Sequence, residues 1–419
     1  MRFVFISERT FEPWDWTNPE LAGIGGSETS HIEMAQRLAR RGHDVMSYAP
    51  LALDERMGMA RVAGYQIPAD SFTDPAGVEW YPIERFLEVV GRAHVPGLVY
   101  VIYRAPHLVD LLPAGSIAWL ICQDTDYTRA DNLLDLDRAS RFTRIVTLCQ
   151  AQAKAMRRRL DSLPGSKGRR DNIVVSSNGI KRETIDALEN LSRETPYAPE
   201  RNECRLIYAS SPDRGLENLL PIFERVREIV PKAELHVCYG FNNIEKVIQR
   251  IDDRGFKNNP VAQNRAHLLA EMERLGVHHY GRLGQTELLA HWLRSAVWCH
   301  PSNFTETSCI TCMDAQACGA VPVTNPVWAI GENVEHGVFI EGDVRTEAIR
   351  ARYVYAVAEL LLNPQMQQEH RAEMMPWARD RFNWERFVDQ WAMWAAGDTE
   401  NLAWPVTEQE MADYPGVTL

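Results

Sequence analysis

The chain has 419 residues, of which 45% are apolar and 24% charged. That is the composition of a globular protein rather than a disordered or membrane-spanning one, and the chain is longer than one hydrophobic core usually serves, so two domains are expected. A net charge of −12 argues against sequence-independent binding to nucleic acid or anionic lipid, which takes a surplus of Lys and Arg.

The N-terminus, MRFVFISERTFEPWDW, lacks the long apolar region and small-residue cleavage site of a signal peptide, so a cytoplasmic protein without a transmembrane segment is expected. Short β-branched and aromatic runs then alternate with amphipathic stretches: FVFIS (3–7), DVMSYA (44–49), LVYVIY (98–103), IAWLIC (117–122), RIVTLC (144–149) and NIVVSS (172–177). This alternation predicts a parallel sheet flanked by helices. Between the first two runs, Ile32, Ala35, Leu38 and Ala39 repeat at helical spacing and Gly42 supplies a stop. The series restarts with RLIYAS (205–210), AELHVCYG (233–240), VHHYG (277–281), SAVWCHPS (295–302), AVPVTN (320–325) and GVFIEG (337–342). The predicted organisation is an N-terminal Rossmann-like domain over 1–180 and a polar hinge over 181–202 that follows an Asn-Gly turn at 178–179. A second such domain follows over 203–380, then tryptophan-rich helices over 381–419 that pack back toward the first domain. The eight cysteines lie in apolar segments and are expected to be reduced and buried.

GIGGSETSH (23–31) invites comparison with the dinucleotide fingerprint GxGxxG, but Glu28 occupies the third glycine position and the glycines stand about sixteen residues beyond the first strand. No Gly-Lys-Ser/Thr follows, so a Walker loop is excluded too. What remains is either a plain turn or a helix start at Gly25 and Gly26 whose free amides meet a phosphate or a sugar hydroxyl. PSNFTETSCITCMDAQACGAVPVTN places Glu306 before a predicted helix, Thr307 and Ser308 in its first turn and Asp314 eight residues on. A continuous helix would separate the two carboxylates by roughly 12 Å, about the reach of a nucleotide-sugar. The alternative is solvated surface charge. Cys309, Cys312 and Cys318 lack a second ligand pair at zinc-finger spacing, so no metal site is expected there.

This segment resembles the pair of glutamates, with seven residues between them, of the retaining glycosyltransferases of family four, which have the GT-B fold. The similarity runs over nearly the whole chain. GGSE resembles the family's N-terminal phosphate and acceptor loop, and YASSPDRGLENLL the opening of the second domain, with Arg214 at the position of the donor-phosphate lysine. HHYGRLGQTEL resembles the segment that carries the nucleotide base, and ACGAVPV the turn after the carboxylate helix. The resemblance implies two doubly wound α/β domains facing across a cleft. It implies retaining transfer of a hexose-type sugar from a nucleoside diphosphate, UDP- or GDP-linked, to an acceptor that is a glycan, lipid, small molecule or macromolecule. No metal or other cofactor is implied. Arg214 and Glu306 would be catalytic. The donor set would be Gly25, Gly26, Arg214, Gly240, Arg282, Leu283, Glu306, Thr307, Ser308, Cys309 and Asp314, with Glu306 toward the sugar and Asp314 toward the ribose. The chain departs from the family pattern at Asp314 (for Glu), Ala209 (for Arg) and Gln123-Asp124 (for His-Asp). Two other functions suit such a fold: a noncatalytic nucleotide-sugar or glycan binding protein, and a nucleotide-sugar epimerase, which would need separate acid and base carboxylates.

Overall fold

A computed structural model of the chain describes residues 1–8, 12–51, 53–54, 59–62, 65–68, 71–89, 97–166, 171–194, 200–241 and 260–397. These fall into two units, the first formed by the described residues of Met1–Pro19, Ile24–Gly179 and 384–397, the second by those of Glu20–Gly23 and Ile180–Asn383.

The sheet of the first unit has eight strands in the order Ile173–Val175, Arg144–Thr147, Ile117–Ile121, Leu98–Tyr103, Arg2–Ser7, Asp44–Ala49, Glu79–Pro82 and Phe72–Thr73. Every pairing is parallel except the last. The run LVYVIY forms a central strand because all six of its side chains are buried, as a sheet covered on both faces requires. On one face Phe3, Phe5 and Val101 pack with Ile32 and Leu38 of the helix Gly26–Arg40 and with Trp384, Phe387 and Trp391 of the helix Trp384–Ala395. On the other, Val4, Ile6 and Ile102 share a core with Met156 and Leu160 of the helix Gln150–Asp161.

The second unit repeats the plan with six parallel strands in the order His278–His279, Glu234–Val237, Asn202–Tyr208, Ser295–His300, Val321–Thr324 and Val338–Phe339. Leu206, Tyr208, Val297 and Val321 pack against the helices Leu216–Ile229 and Glu347–Leu362. Ile207 and Trp298 pack on the opposite face against Met313 and Ala317 of the helix Ile310–Cys318. All eight cysteines are free and buried. Among the described residues no helix is long and apolar enough to cross a membrane.

Two features differ from the sequence expectation. The segment after Lys181, read as a polar join, forms the helix Arg182–Glu194 within the second unit, because Ile185 and Leu188 lie on one face and enter the core beside Trp292 and Phe382. The strands Glu79–Pro82 and Phe72–Thr73 differ from the expectation in being short, and the first ends in a proline that pairs with a neighbour on one side only.

The helix Trp384–Ala395 is an integral part of the first unit. Trp391 stacks on Phe5 with ring centroids 6.2 Å apart, meets Trp119 edge-on at 5.7 Å and donates its indole N–H to Ser176 Oγ at 3.1 Å. Glu385 accepts hydrogen bonds from Arg37 and Arg41 of the helix beside it. Trp391→Ala should destabilise this unit by about 3–5 kcal/mol, the usual cost of truncating a buried aromatic. Denaturant unfolding checks this, and a loss below about 1 kcal/mol would show that the helix is not part of the core.

Candidate functional site

In the second unit the loops after the strands carry the polar residues. Beyond Tyr208 the chain makes a single 3₁₀ turn, Pro212–Arg214, and enters the next helix through Gly215. Gly215 has φ 122°, and a Cβ there would lie 2.6 Å from the Pro301 carbonyl oxygen, so only glycine lets the two loops touch. The same carbonyl accepts from the Asn218 amide at 3.1 Å, and the Tyr208 hydroxyl donates to the Ser211 carbonyl at 2.8 Å. These bonds fix the base of the loop that presents Arg214.

Arg214 Nη1 donates to both carboxylate oxygens of Glu306, at 2.6 and 2.7 Å, while its guanidinium carbon lies 4.1 Å from the centroid of the Phe304 ring. Glu306 is buried, whereas the Arg214 side chain keeps 35% of its surface exposed. Burial alone would depress the guanidinium pKa, but the charge of Glu306 outweighs it and holds the group firmly cationic. Arg214 Nε has no hydrogen-bond partner. Phe304 is a contact that the sequence motif did not disclose.

Thr307 and Ser308 do not occupy the first turn of the helix as expected. The helix is Ile310–Cys318, and Cys309 precedes it in the left-handed conformation, φ 57° and ψ 70°, with no side-chain cap. This reversal ends the loop abruptly, so the separation deduced from a continuous helix does not apply to Glu306 and Asp314. The loop is held from its far side: Ala329 N–H donates to the Glu306 carbonyl at 3.1 Å and the Asn333 amide to the Ser308 carbonyl at 2.5 Å. Trp328, next to Ala329, also has positive φ, 49°. Two strained backbone positions beside one uncapped helix start mark a place held in shape by its surroundings.

Asp314 is 3% exposed, and its Oδ1 has no hydrogen-bond partner. Burial pushes its carboxyl up to about 7, with Lys181 acting weakly the other way. His300, also missed by the sequence motifs, is fully buried between Trp298 (centroids 4.9 Å apart) and Tyr208 (5.7 Å), with no partner for either ring nitrogen. Burial, reinforced by Arg214, holds it down at about 3, so the ring is neutral. His300, Glu306 and Cys309 bring possible ligand atoms within 4.8 Å of one another, although Glu306 is engaged by Arg214. One accessible cation, an uncapped helix start and a buried acceptor together can hold an anion with hydroxyl groups attached.

Gly240 is buried just beyond the strand Glu234–Val237, and Arg282 and Leu283 follow His278–His279. The segment Glu20–Gly23 lies against that second loop: a Cβ on Gly23 would sit 2.4 Å from the Leu283 carbonyl oxygen, and one on Gly284 2.0 Å from that of Glu20. The glycine motif is therefore divided, since Gly25 and Gly26 open the helix Gly26–Arg40 of the first unit. There the Glu28 carboxylate turns back over the helix start, with Oε2 2.4 Å from where a Gly25 Cβ would be. Burial raises the Glu28 pKa, partly offset by Arg104. Arg104, in the left-handed region at φ 63°, donates to Asp124 at 2.8 and 3.0 Å and lies 3.8 Å from Glu28. Glu28 and Asp124 lie in the motifs GGSE and Gln123-Asp124, whereas Arg104 is marked in the sequence only as a basic residue directly after a wholly apolar strand.

No protein-family model matches the chain, and no curated protein matches its sequence. Solved structures do match by shape. Sucrose-phosphate synthase from Thermosynechococcus elongatus aligns with a TM-score of 0.63 at 13% identity, over 94% of this chain and 98% of that one. Anabaena HepE, in complex with UDP and glucose, gives 0.60 at 15% identity over 95% and 100%. The pneumococcal O-GlcNAc transferase GtfA, in complex with UDP and GlcNAc, gives 0.54 at 11% identity over 81% and 64%. The fold is GT-B, built from two doubly wound α/β units.

The buried Asp314 carboxyl makes a pH prediction. Its folded pKa, about 7, lies above the usual carboxylate value, so between about pH 4 and 7 the folded chain binds the extra proton and stability falls as pH rises. The loss is on the order of a few kcal/mol. Asp314→Asn should flatten this slope in urea unfolding measured at several pH values, and an unchanged slope would show that Asp314 is not buried as described.

Proposed function

We propose that the protein is a glycosyltransferase that moves a hexose-type sugar from a nucleoside-diphosphate sugar, UDP- or GDP-linked, to an acceptor with retention of anomeric configuration. The observation that carries this reading is the Arg214–Glu306 pair beside the uncapped helix of Asp314, on a fold shared with structures that hold UDP and a sugar.

In this reading the diphosphate displaces part of the Arg214–Glu306 contact and takes the guanidinium together with the amides at the helix start. Breaking the bond between the anomeric carbon and the diphosphate oxygen develops negative charge on the leaving group. Arg214 stabilises that charge more in the transition state than before it. Glu306, freed from Arg214, accepts hydrogen bonds from the sugar hydroxyls, and Asp314 accepts from the ribose. Cys309 is the turn that aims the amides, with Thr307 and Ser308 in the loop before it. Gly240, Arg282 and Leu283 line the base side; in the first unit, the helix-start amides of Gly25 and Gly26 open to an anion once Glu28 swings away or is protonated. No step needs a metal, because Arg214 supplies the positive charge.

A thermal-shift screen of nucleotides and nucleotide-sugars identifies the donor, since a ligand at 100 times its Kd adds about 2.7 kcal/mol. Release of nucleoside diphosphate only when an acceptor is present supports transfer. Conversion of the donor alone to another nucleotide-sugar supports an epimerase, and binding without turnover a noncatalytic binder. With the donor known, Arg214→Ala should lower turnover about 10²-fold or more; wild-type turnover would remove Arg214 from the mechanism. Glu306→Gln keeps the shape of the side chain but loses charge-assisted acceptance, so it should impair donor use more than it lowers Tm. Early melting with normal turnover would make the pair structural.

A further inference from the structure

The second unit carries a cluster of histidines away from Arg214 and Glu306, and sheet geometry assembles it. Glu234 and His236 are two residues apart on one strand, so they share a face. The parallel register sets His236 directly opposite His278 on the edge strand, with ring centroids 4.6 Å apart. A carboxylate oxygen of Glu234 and one ring nitrogen each of His236 and His278 lie within 4.8 Å of one another. We infer that Glu234, His236 and His278 form a binding site for a borderline divalent transition-metal ion, of which Zn²⁺ is the type.

The donor set is two imidazoles and one carboxylate, a combination that binds zinc through three protein ligands and leaves a fourth position to solvent. The surroundings are organised as such a site requires. Tyr280 OH lies 3.2 Å from His236 Nδ1, which fixes the ring and directs Nε2 toward Glu234 at 3.3 Å. The contacts that engage Glu234, from Asn202 at 3.0 Å and Arg205 at 3.5 Å, both fall on Oε2. His278 is exposed, which gives the ion a way in.

The neighbouring guanidinium of Arg205 selects among cations. A hard ion such as Mg²⁺, which depends on charge and on oxygen donors, gains little from two imidazoles next to a positive charge, whereas zinc, cobalt or nickel bonds to imidazole itself. A bound ion would cross-link the edge strand His278–His279 to Glu234–Val237. That edge strand is two residues long and leads directly into the loop of Arg282 and Leu283. The ion takes no part in sugar transfer, so the test stands whether or not the transferase reading holds.

The test is titration of the untagged full chain with Zn²⁺ by calorimetry and with Co²⁺ by visible absorption. One ion per chain is expected, with little response to Mg²⁺. His278→Ala and Glu234→Gln, at exposed or half-exposed positions where folding should survive, are each expected to weaken binding by about tenfold or more. His267→Ala, an exposed histidine elsewhere in the unit, should leave it unchanged. Absence of binding to the wild-type chain overturns the site, and so does binding that survives both ligand variants.

Discussion

The second unit is organised around a carboxylate that the fold takes out of water. Glu306 is 5% exposed, and an unpaired charge at that depth would cost several kcal/mol, so a cation must be delivered to it. The chain does this through backbone geometry. Gly215 lets one loop lie against the carbonyl of Pro301, Asn218 holds the same carbonyl, and Arg214 is carried to Glu306 across the ring of Phe304. Both partners sit at the ends of parallel strands, where a doubly wound sheet leaves backbone and side chains open to a ligand.

The balance of that pair is what makes the site usable. Arg214 is about one third exposed and Glu306 hardly at all, so an incoming anion can share the guanidinium without entering the core. Asp314 and His300 lie deeper: burial keeps the His300 ring neutral and pushes the Asp314 carboxyl up to about 7. The carboxylates that act on the Arg214 guanidinium are those of Glu306 and the adjacent Asp213. The left-handed turn at Cys309 adds helix-start amides that no side chain caps. In the first unit a comparable helix start at Gly25 is covered by its own Glu28, and Arg104 is bound to Asp124, so the positive charge there is already spoken for.

Much of the fold could be read from the residues. DVMSYA and LVYVIY form strands over the residues named, because nearly continuous burial leaves an unambiguous run, and the restart of the pattern at RLIYAS marks the second sheet. The stretch after Lys181 reads as a polar join because a charged amphipathic helix has little apolar content, and its buried Ile185 and partly buried Leu188 stand out only once their neighbours are known. At the site, the acid pair was singled out by spacing and Arg214 by the family resemblance, but the backbone reversal at Cys309 left no sign in the sequence. A left-handed non-glycine residue is imposed by tertiary contacts, here those of Ala329 and Asn333 on the loop, and has no local signature. Phe304 and His300 were hidden for the same reason, each being an ordinary aromatic or histidine until the fold sets it beside Arg214 or Tyr208.

The proposed transfer requires a donor phosphate at Arg214, and a crystal structure with the nucleoside diphosphate selected by stability screening decides whether one lies there. The expected result is phosphate oxygens within hydrogen-bond distance of Arg214 and of the amides at the start of Ile310–Cys318, ribose hydroxyls at Asp314, and a Glu306 carboxylate at least partly released from Arg214. A nucleotide bound elsewhere, with the Arg214–Glu306 pair intact, would contradict it.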